Sequence, residues 1–238
     1  MVFSVILPCY KPQEKWESIV LESFKELSLG FPKITFHLIL ICDGYKIEEA
    51  IINKITTLVP NLKIIYYKEN RGKGYALRKG VLASSTLNTD YVILTDVDFP
   101  YQKVSLFQMV EKLLTNNFDV VLGQRDASYY KDVPKTRIYI SKIFRQFITL
   151  TLGNGITDTQ CGLKGFSRKA IPIFLNTKID RYLFDFEFIY KLKTEKLLQI
   201  STVEAFLKPG IIFRKMGLKI LTGELFNLIK IIFNGSKV

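Results

Sequence analysis

The stretch YVILTDVD, residues 91–98, joins four apolar residues to a threonine and two aspartates that stand one residue apart. A short apolar run bounded by polar residues is typical of a strand that is buried on both faces. Two carboxylates this close together repel each other, so their placement at a strand end needs a compensating cation. The stretch therefore predicts a buried strand at 91–95 and a cation-binding site directly after it.

Apolar runs alternate with helical patterns on both sides of this stretch. Buried strands are also predicted at residues 3–7, 36–41, 62–67 and 120–122, and helices at 16–27, 47–58, 74–83 and 104–114. Strands without a polar face that alternate with helices predict an α/β fold, with a mostly parallel central sheet and helices on both faces. The second half is less regular, with helices predicted at 136–152 and 184–193 and a strand at 163–166.

Polar segments follow the predicted strands where a parallel sheet binds its ligands, beyond the carboxyl ends of the strands. They are Pro8-Cys9-Tyr10, Asp43-Gly44, residues 69–74, Asp96-Val97-Asp98 and Gly123-Gln124-Arg125. Because parallel strands end at the same edge of a sheet, we expect these segments to lie together as one site.

Asp96 and Asp98 are the predicted metal ligands. Mg2+ and Mn2+ prefer oxygen ligands and often take one or two carboxylates together with phosphate oxygens of a substrate. A cation held there stabilises the charge that develops on a leaving diphosphate. The alternative is a solvated acidic turn, since a bare Asp-x-Asp pattern is common, but the position after the fourth strand favours the metal site.

Basic residues in two further segments are predicted to meet phosphates. Residues 70–74, which include Arg71 and Lys73, form a glycine-rich loop that opens a helix, where backbone amides and the helix dipole suit an anion. The loop lacks the ending of a P-loop, and an ordinary strand-to-helix turn is the alternative. Arg125 and Arg137 can each pair with phosphate through a bidentate fork, the alternative being a solvated face.

The composition fits one globular domain in a reducing compartment. Of the 238 residues, 48% are hydrophobic, and the formal net charge of +12 favours anionic partners such as phosphorylated substrates or an anionic membrane surface. Cys9, Cys42 and Cys161 form no CxxC pair, which argues against a disulfide framework and a thiolate zinc site. The single histidine, His37, lies in an apolar run and is interpreted as structural. Because the basic residues are dispersed and no recognised module is present, nucleic acid is not an expected partner.

The chain shows no secretory signal and no apolar run long enough for a membrane span, so we expect it in the cytoplasm, peripheral to the cytosolic face of a membrane. Residues 211–238 carry leucines and isoleucines at helical spacing, with Lys215, Lys219 and Lys230 off that stripe. A basic amphipathic segment of this kind either rests in an anionic interface or packs on the core, and the sequence leaves both open. The predicted boundary separates this segment from one domain at residues 1–210.

Six motifs occur in order along the chain. They are VILPCYKP (5–12), CDG (42–44), NRGKGYALRKG (70–80), TDVDFP (95–100), GQR (123–125) and DTQCGLKGF (158–166). Together they resemble the inverting family-2 glycosyltransferases of GT-A (Rossmann-like) fold, and most of all the dolichyl-phosphate mannose and glucose synthases and their bacterial polyprenyl-phosphate relatives. The resemblance covers residues 3–205, and FDFE (184–187) is similar to a pattern of the same subgroup.

The resemblance implies an inverting hexosyltransferase that uses a nucleotide-sugar donor, UDP- or GDP-linked, and Mg2+ or Mn2+. Pro8, Tyr10 and Asp43 would line the nucleotide pocket. Asp96 and Asp98 would hold the metal on the donor diphosphate. Arg71 and Lys73, in the loop expected to meet an anion, would belong to the same donor site.

The resemblance also implies a polyprenyl phosphate acceptor. Arg125 and Arg137 would face donor or acceptor phosphates, and Asp158 with Gln160 would lie beside the reacting sugar and the acceptor. A phosphate acceptor is largely dianionic at neutral pH and needs no general base, which leaves Asp158 to orient hydroxyl groups. The alternatives are a glycan or other hydroxyl acceptor, for which Asp158 is the candidate base, and a non-catalytic relative that only binds nucleotide-sugar.

Two positions depart from the family pattern. Cys42 precedes Asp43 where the family usually has two acids, so recognition of the base is expected to differ. Pro100 stands two residues after Asp98, where the mannose synthases often carry a glutamine as a further metal ligand. The remaining ligands are therefore expected to be water or another group.

Overall fold

The computed structural model of the chain describes residues 1–115, 117–125, 158–194 and 198–211. The helix predicted at 136–152, the predicted phosphate ligand Arg137, and residues 212–238 of the C-terminal segment lie outside the described residues. Within the described part, no helix combines the length and the apolar content needed to cross a membrane.

Strands and helices alternate through the first half of the molecule, as the apolar runs predict. The strands are β1 (Val2–Cys9), β2 (Thr35–Asp43), β3 (Leu62–Tyr67), β4 (Tyr91–Leu94), β5 (Val120–Arg125), β6 (Lys164–Ser167) and β7 (Ile200–Ala205). The helices are α1 (Trp16–Gly30), α2 (Glu49–Leu58), α3 (Lys73–Ser85), α4 (Lys103–Leu114), α5 (Ile171–Leu175) and α6 (Phe184–Thr194), with a short 3-10 turn at Arg168–Ala170 before α5. The predicted strands and helices of the described part all have a counterpart here.

The described strands form one sheet in the order β3-β2-β1-β4-β6-β5-β7. Neighbours are parallel from β3 to β4 and between β5 and β7, while β6 runs antiparallel to both β4 and β5. The mostly parallel sheet is therefore confirmed. The antiparallel insertion of β6 and the presence of β7 are additions that the sequence pattern did not predict.

Helices cover both faces of the sheet. Alternate residues of β1 divide between the two sides: Val5 and Leu7 join the core under α1, α2 and α4, whereas Ile6 joins the core under α3, α5 and α6. These strand residues are fully buried. Burial on both faces explains why the strands are apolar throughout instead of alternating with polar residues.

A cluster of phenylalanines fixes α5 and α6 to the centre of the sheet. Phe166 of β6 stacks on Phe174 of α5 with ring centroids 5.4 Å apart, and Phe188 of α6 meets Phe174 edge-on at 4.9 Å. Phe184 packs on the same ring at 6.2 Å. Burying each of these side chains contributes about 1.5–3 kcal/mol, so α6 is held firmly against α5 and β6.

Candidate active site

The carboxyl ends of β1, β2, β3 and β4 meet at one edge of the sheet. Cys9 pairs with Cys42 at the ends of β1 and β2, and Asp43 pairs with Tyr67 at the ends of β2 and β3. The polar segments predicted to gather beyond these strands therefore do lie along one edge. Pro8 is half-buried there and Tyr10 is exposed, and their predicted contacts with a nucleotide remain predictions.

Asp96 lies directly after β4 in a tight turn. The backbone amide of Phe99 donates to the Asp96 carbonyl at 3.0 Å, and Phe99 has a positive φ of 40°. The Asp96 side chain is 36% exposed, and its Oδ1 lies 2.6 Å from Nζ of Lys73. Asp98 is partly buried in the same turn. The pair is thus a structured edge of the site and not a freely solvated acidic turn.

The surroundings of Asp96 fit a divalent cation. A Cβ built on Gly162 would lie 2.7 Å from Oδ2 of Asp96, so the glycine keeps that oxygen accessible. Within the described residues, no group of three or more His, Cys, Asp or Glu side chains could hold a metal. Asp96 and Asp98 would therefore share the ion with phosphate and water oxygens, the arrangement that Mg2+ and Mn2+ commonly adopt.

Lys73, at the first position of α3, is flanked by two carboxylates. Burial alone lowers its pKa, but Asp96 and then Asp185 more than offset this, and the pKa of Lys73 is raised. Asp185, in the first turn of α6, lies 2.6 Å from Nζ of Lys164, and both of these side chains are almost fully buried. Burial raises the pKa of Asp185, although Lys164 and Lys73 oppose that effect. One ion pair, Lys73–Asp96, therefore lies at the edge of the site, and a second, Lys164–Asp185, lies in the core.

Arg125 and Asp158 form a buried, two-pronged ion pair. Nε and Nη2 of Arg125 donate to Oδ2 and Oδ1 of Asp158 at 2.6 and 2.7 Å, and the Arg125 backbone amide also donates to Oδ2 at 3.1 Å. The Gln160 amide donates to Oδ1 at 3.1 Å. Asp158 has a side-chain exposure of only 2%. The structure thus joins two residues that were predicted to act separately, with the carboxylate orienting the guanidinium.

Asp43, predicted to line the nucleotide pocket, is 3% exposed. Its Oδ1 accepts from the Arg71 amide at 2.7 Å, and its Oδ2 accepts from Asn70 Nδ2 at 2.7 Å and from the Gly72 amide at 3.0 Å. What the structure shows for Asp43 is therefore the anchoring of the loop before α3. A contact with nucleotide remains a prediction.

The backbone amides at the start of α3 are already occupied. The amides of Gly74 and Tyr75 donate to the carbonyl oxygen of Asp180, at 2.8 and 3.2 Å. Because Asp43 takes the two preceding loop amides, these four amides have acceptors within the protein, and anion binding by the loop remains a prediction. The charged side chains of the loop are the other groups expected to meet an anion. Lys73 points to Asp96, and the Arg71 guanidinium stacks 4.2 Å from the centre of the Tyr75 ring.

Several residues that matter for the geometry were given no role in the sequence analysis. Tyr101 is buried, and its hydroxyl accepts from the Gly162 amide at 2.9 Å. Burial, followed by the charges of Cys161 and Asp96, raises the pKa of Tyr101 well above its usual value. Glu187 accepts from the amides of Lys178 and Ile179 at 2.8 to 2.9 Å, which fixes the loop whose carbonyl caps α3. The sequence offered a signal for a buried charge at Lys164, which is a lysine inside an apolar strand.

The cysteines and the histidine agree with their structural interpretation. Cys9, Cys42 and Cys161 are free thiols and all three are buried. His37 lies on β2, and burial lowers its pKa, which favours the neutral ring.

Comparisons with known proteins point in one direction. A family model described as Glycosyl transferase family 2 matches residues 4–173. A dolichyl-phosphate beta-glucosyltransferase from Dictyostelium discoideum is 32% identical over 202 residues, covering 79% of this chain and 61% of that protein. The protein of the same name from Drosophila melanogaster is 29% identical, covering 82% and 63%. The chain therefore spans about three fifths of the length of these relatives.

Solved structures show the same fold. Glucosyl-3-phosphoglycerate synthase from Mycobacterium tuberculosis, in complex with Mn2+, UDP and phosphoglyceric acid, superposes with a TM-score of 0.70. The match covers 100% of this chain and 79% of that one at 17% identity. At this identity the match establishes the GT-A architecture expected from the sequence motifs.

Proposed function

This chain belongs to glycosyl transferase family 2, and from that membership we propose that it transfers a sugar from a nucleotide-sugar donor to a polyprenyl phosphate, of dolichyl type, with inversion. The observation that carries the proposal is the position of Asp96. Its partly exposed carboxylate stands at the ligand-binding edge of the sheet, in contact with Lys73 and opened by Gly162. A negative group paired with a positive one at this edge suits a cation and a diphosphate together.

Metal dependence is part of the proposal. Asp96 and Asp98 would hold Mg2+ or Mn2+, which supplies neutralising charge to the leaving diphosphate when bound. Lys73 adds a positive charge, with its Nζ 2.6 Å from Oδ1 of Asp96. The support from outside the chain is that the mycobacterial synthase with this fold was solved with Mn2+ and UDP.

The environment of Asp158 favours a phosphate acceptor over a hydroxyl acceptor. A general base needs an accessible lone pair within reach of the acceptor proton. Both carboxylate oxygens of Asp158 instead accept hydrogen bonds from Arg125 and from the Gln160 amide. A polyprenyl phosphate needs no base, and we propose that Arg125, held by Asp158, meets one of the phosphates. Arg137 is proposed for the same purpose.

The donor we propose is a UDP-sugar, with UDP-glucose as the first to test. The support for glucose is that the relatives from Dictyostelium discoideum and Drosophila melanogaster are named beta-glucosyltransferases. The support for UDP is that the mycobacterial synthase with this fold was solved with UDP. Pro8, Tyr10, Asp43, Arg71 and Gln160 are proposed to line the donor pocket. A GDP-linked sugar is the competing donor.

A lipid acceptor places the enzyme at a membrane surface. We propose that the chain acts peripherally, on the cytosolic face, and that residues 211–238 form a basic amphipathic segment separate from the domain at 1–210. The support is the charge of +12, which favours an anionic surface.

The decisive experiment is a transfer assay with labelled UDP-glucose, Mn2+ and a short-chain polyprenyl phosphate. We expect label in an organic-soluble glycolipid, its loss in Asp98→Asn, and no product when the polyprenyl phosphate is replaced by the free alcohol. Label that reaches sugar hydroxyls in preference to lipid phosphate would assign the other acceptor class. Absence of both transfer and donor hydrolysis with UDP- and GDP-sugars would leave only a binding function.

A further inference from the structure

Residues 158–163 form a loop that is fixed to the end of β5. Both oxygens of Asp158 accept hydrogen bonds from the Arg125 guanidinium, at 2.6 and 2.7 Å. At the other end of the loop, the Gly123 amide of β5 donates to the carbonyl oxygen of Leu163 at 2.9 Å. The loop is therefore tied at both ends to the strand that carries Arg125.

Tyr101 holds the middle of this loop. Its hydroxyl accepts from the Gly162 amide at 2.9 Å and from the Cys161 thiol at 3.4 Å. Tyr101 is only 9% exposed, so water competes little for these two hydrogen bonds. A Cβ built on Gly162 would lie 2.7 Å from Oδ2 of Asp96. The residue that the Tyr101 hydroxyl holds is therefore the one that lies against the turn after β4.

The backbone of Tyr101 is itself anchored to the segment after β7. Tyr101 forms an antiparallel bridge with Leu207. Two backbone hydrogen bonds of 2.8 Å flank this bridge, one on each side, and join residues 100–102 to residues 206–208. The ring therefore starts from a fixed point three residues after Asp98, and from there its hydroxyl reaches the loop.

We propose that Tyr101 is a positioning residue that sets the distance between the donor side and the acceptor side of the site. The donor side is the turn with Asp96 and Asp98, and the acceptor side is the pair of Arg125 and Asp158. The inference rests on the proposed function, since it takes a nucleotide-sugar to bind on one side and an acceptor phosphate on the other. The hydroxyl acts through the loop and touches neither substrate, and the alignment of two reactants can supply a large part of a rate enhancement.

The test is Tyr101→Phe in the full chain, which removes the hydroxyl and keeps the ring. With labelled UDP-glucose, Mn2+ and a short-chain polyprenyl phosphate, we expect kcat for transfer to fall about tenfold. The KM values for the donor and the lipid should stay within about twofold of the wild type, because each side of the site keeps its own contacts. The ratio of donor hydrolysis to transfer should rise about fivefold, since water can still attack a donor whose acceptor is misaligned.

Tyr91→Phe is the matched control, because it makes the same chemical change in another buried tyrosine. Tyr91 is 8% exposed, and its ring stacks on Phe3 with the centroids 4.8 Å apart, at the opposite end of β4 from Asp96. We expect its kcat and its ratio of hydrolysis to transfer to match the wild type. The ratio compares two products of the same folded enzyme, so partial unfolding of a variant does not change it. An unchanged ratio in Tyr101→Phe, or an equal rise in both variants, would overturn the proposal.

Amide hydrogen exchange at Gly162 tests the bond to Tyr101 without any substrate. In the wild type we expect this amide to exchange at least about 10²-fold more slowly than in an unstructured peptide, and Tyr101→Phe should speed the exchange about tenfold. Exchange at the unprotected rate in the wild type would overturn the proposal even if Tyr101→Phe failed to fold. A wild type with neither transfer nor hydrolysis overturns the proposed function together with this inference, whereas wild-type transfer and an unchanged ratio in Tyr101→Phe overturn the inference alone.

Discussion

The strands β2 and β4 lie on either side of β1 and end at the same edge of the sheet. Asp43 is the last residue of β2 and Asp96 stands just after β4, yet the two carboxylates differ in their surroundings. Asp43 at the end of β2 is 3% exposed, and its oxygens accept from three donors of residues 70–72. Asp96 after β4 is 36% exposed in its side chain and contacts one flexible ammonium group. A carboxylate whose lone pairs are filled by amides stabilises a loop, whereas one paired with a lysine can exchange that partner for a metal ion.

The largest expected effect separates the two aspartates by activity. Asp96→Asn removes a proposed metal ligand, and we expect transfer from the nucleotide-sugar to fall by about 10³-fold or more. Because the turn at Asp96 is closed by its backbone carbonyl, the melting temperature should stay near that of the wild type. Steady-state transfer assays and thermal melts check both values. A variant that keeps a near-normal rate would remove Asp96 from the metal site.

Asp43→Asn is expected to show the reverse pattern. An asparagine presents an amide group to donors that need an acceptor, so the free energy of unfolding should fall by about 2–4 kcal/mol. Affinity for Mn2+ should stay within about twofold of the wild type, because the metal site is untouched. Urea denaturation and Mn2+ titration measure the two quantities. If stability is unchanged, Asp43 does not anchor the loop and the contrast with Asp96 fails.

Gly162→Ala tests how open Asp96 is. The added methyl group would lie 2.7 Å from Oδ2 of Asp96 and 3.5 Å from Nζ of Lys73. We expect the carboxylate to shift away from the added methyl group, which relieves part of the close contact. The Kd for Mn2+ should therefore rise by only about fivefold. The matched control is Gly210→Ala, since no atom of the described residues lies within 4 Å of the methyl group at that position, although its positive φ of 78° costs some stability. Equal Mn2+ affinity in both variants would show that Gly162 does not shape the site.

The sequence predicted the fold well where apolar runs are buried on both faces. The strand at 62–67 has the predicted bounds, and the strand predicted at 91–95 matches β4 (Tyr91–Leu94) to within one residue. β7 escaped prediction because its residues, ISTVEA, are half-buried at the edge of the sheet and show neither a continuous apolar run nor a clean alternation. The direction of β6 depends on its neighbours, since it runs antiparallel between β4 and β5, and no local pattern encodes that.

The sequence identified candidate residues for the site but not which of them contact each other. Arg125 and Asp158 were both identified, yet their mutual ion pair joins positions 33 residues apart. Asp43 was assigned to the nucleotide, whereas the amides that fill its oxygens come from 27 to 29 residues further on. Partners of this kind are set by how strand ends and helix starts meet in space, which residue spacing does not contain. Lys164 and Asp185 were overlooked for the same reason.

A third aspartate gives a reference for the smallest effect. Asp119 accepts from the Gln199 amide at 3.2 Å and lies 3.0 Å from Nζ of Lys169, a side chain that is 74% exposed. Burial raises its pKa, but hydrogen bonds from Lys169 and Gln199 outweigh this, so the pKa is lowered from its ordinary value of 3.8. A carboxyl group with a lowered pKa stabilises the fold above its unfolded pKa, and this contribution is lost as the pH falls through the folded value.

Asp119→Asn should therefore reduce the free energy of unfolding by about 0.5–1 kcal/mol at neutral pH, because the pair with Lys169 is largely solvated. The difference from the wild type should shrink below the ordinary value of 3.8 and vanish once the wild-type carboxyl is protonated. Urea denaturation across this pH range measures it, and Lys169→Met should reproduce part of the loss. A loss of unfolding free energy as large as that of Asp43→Asn would contradict this expectation. It would mean that an exposed ammonium group stabilises a carboxylate as strongly as several amides do. Asp43 and Asp96 would then differ only in their exposure.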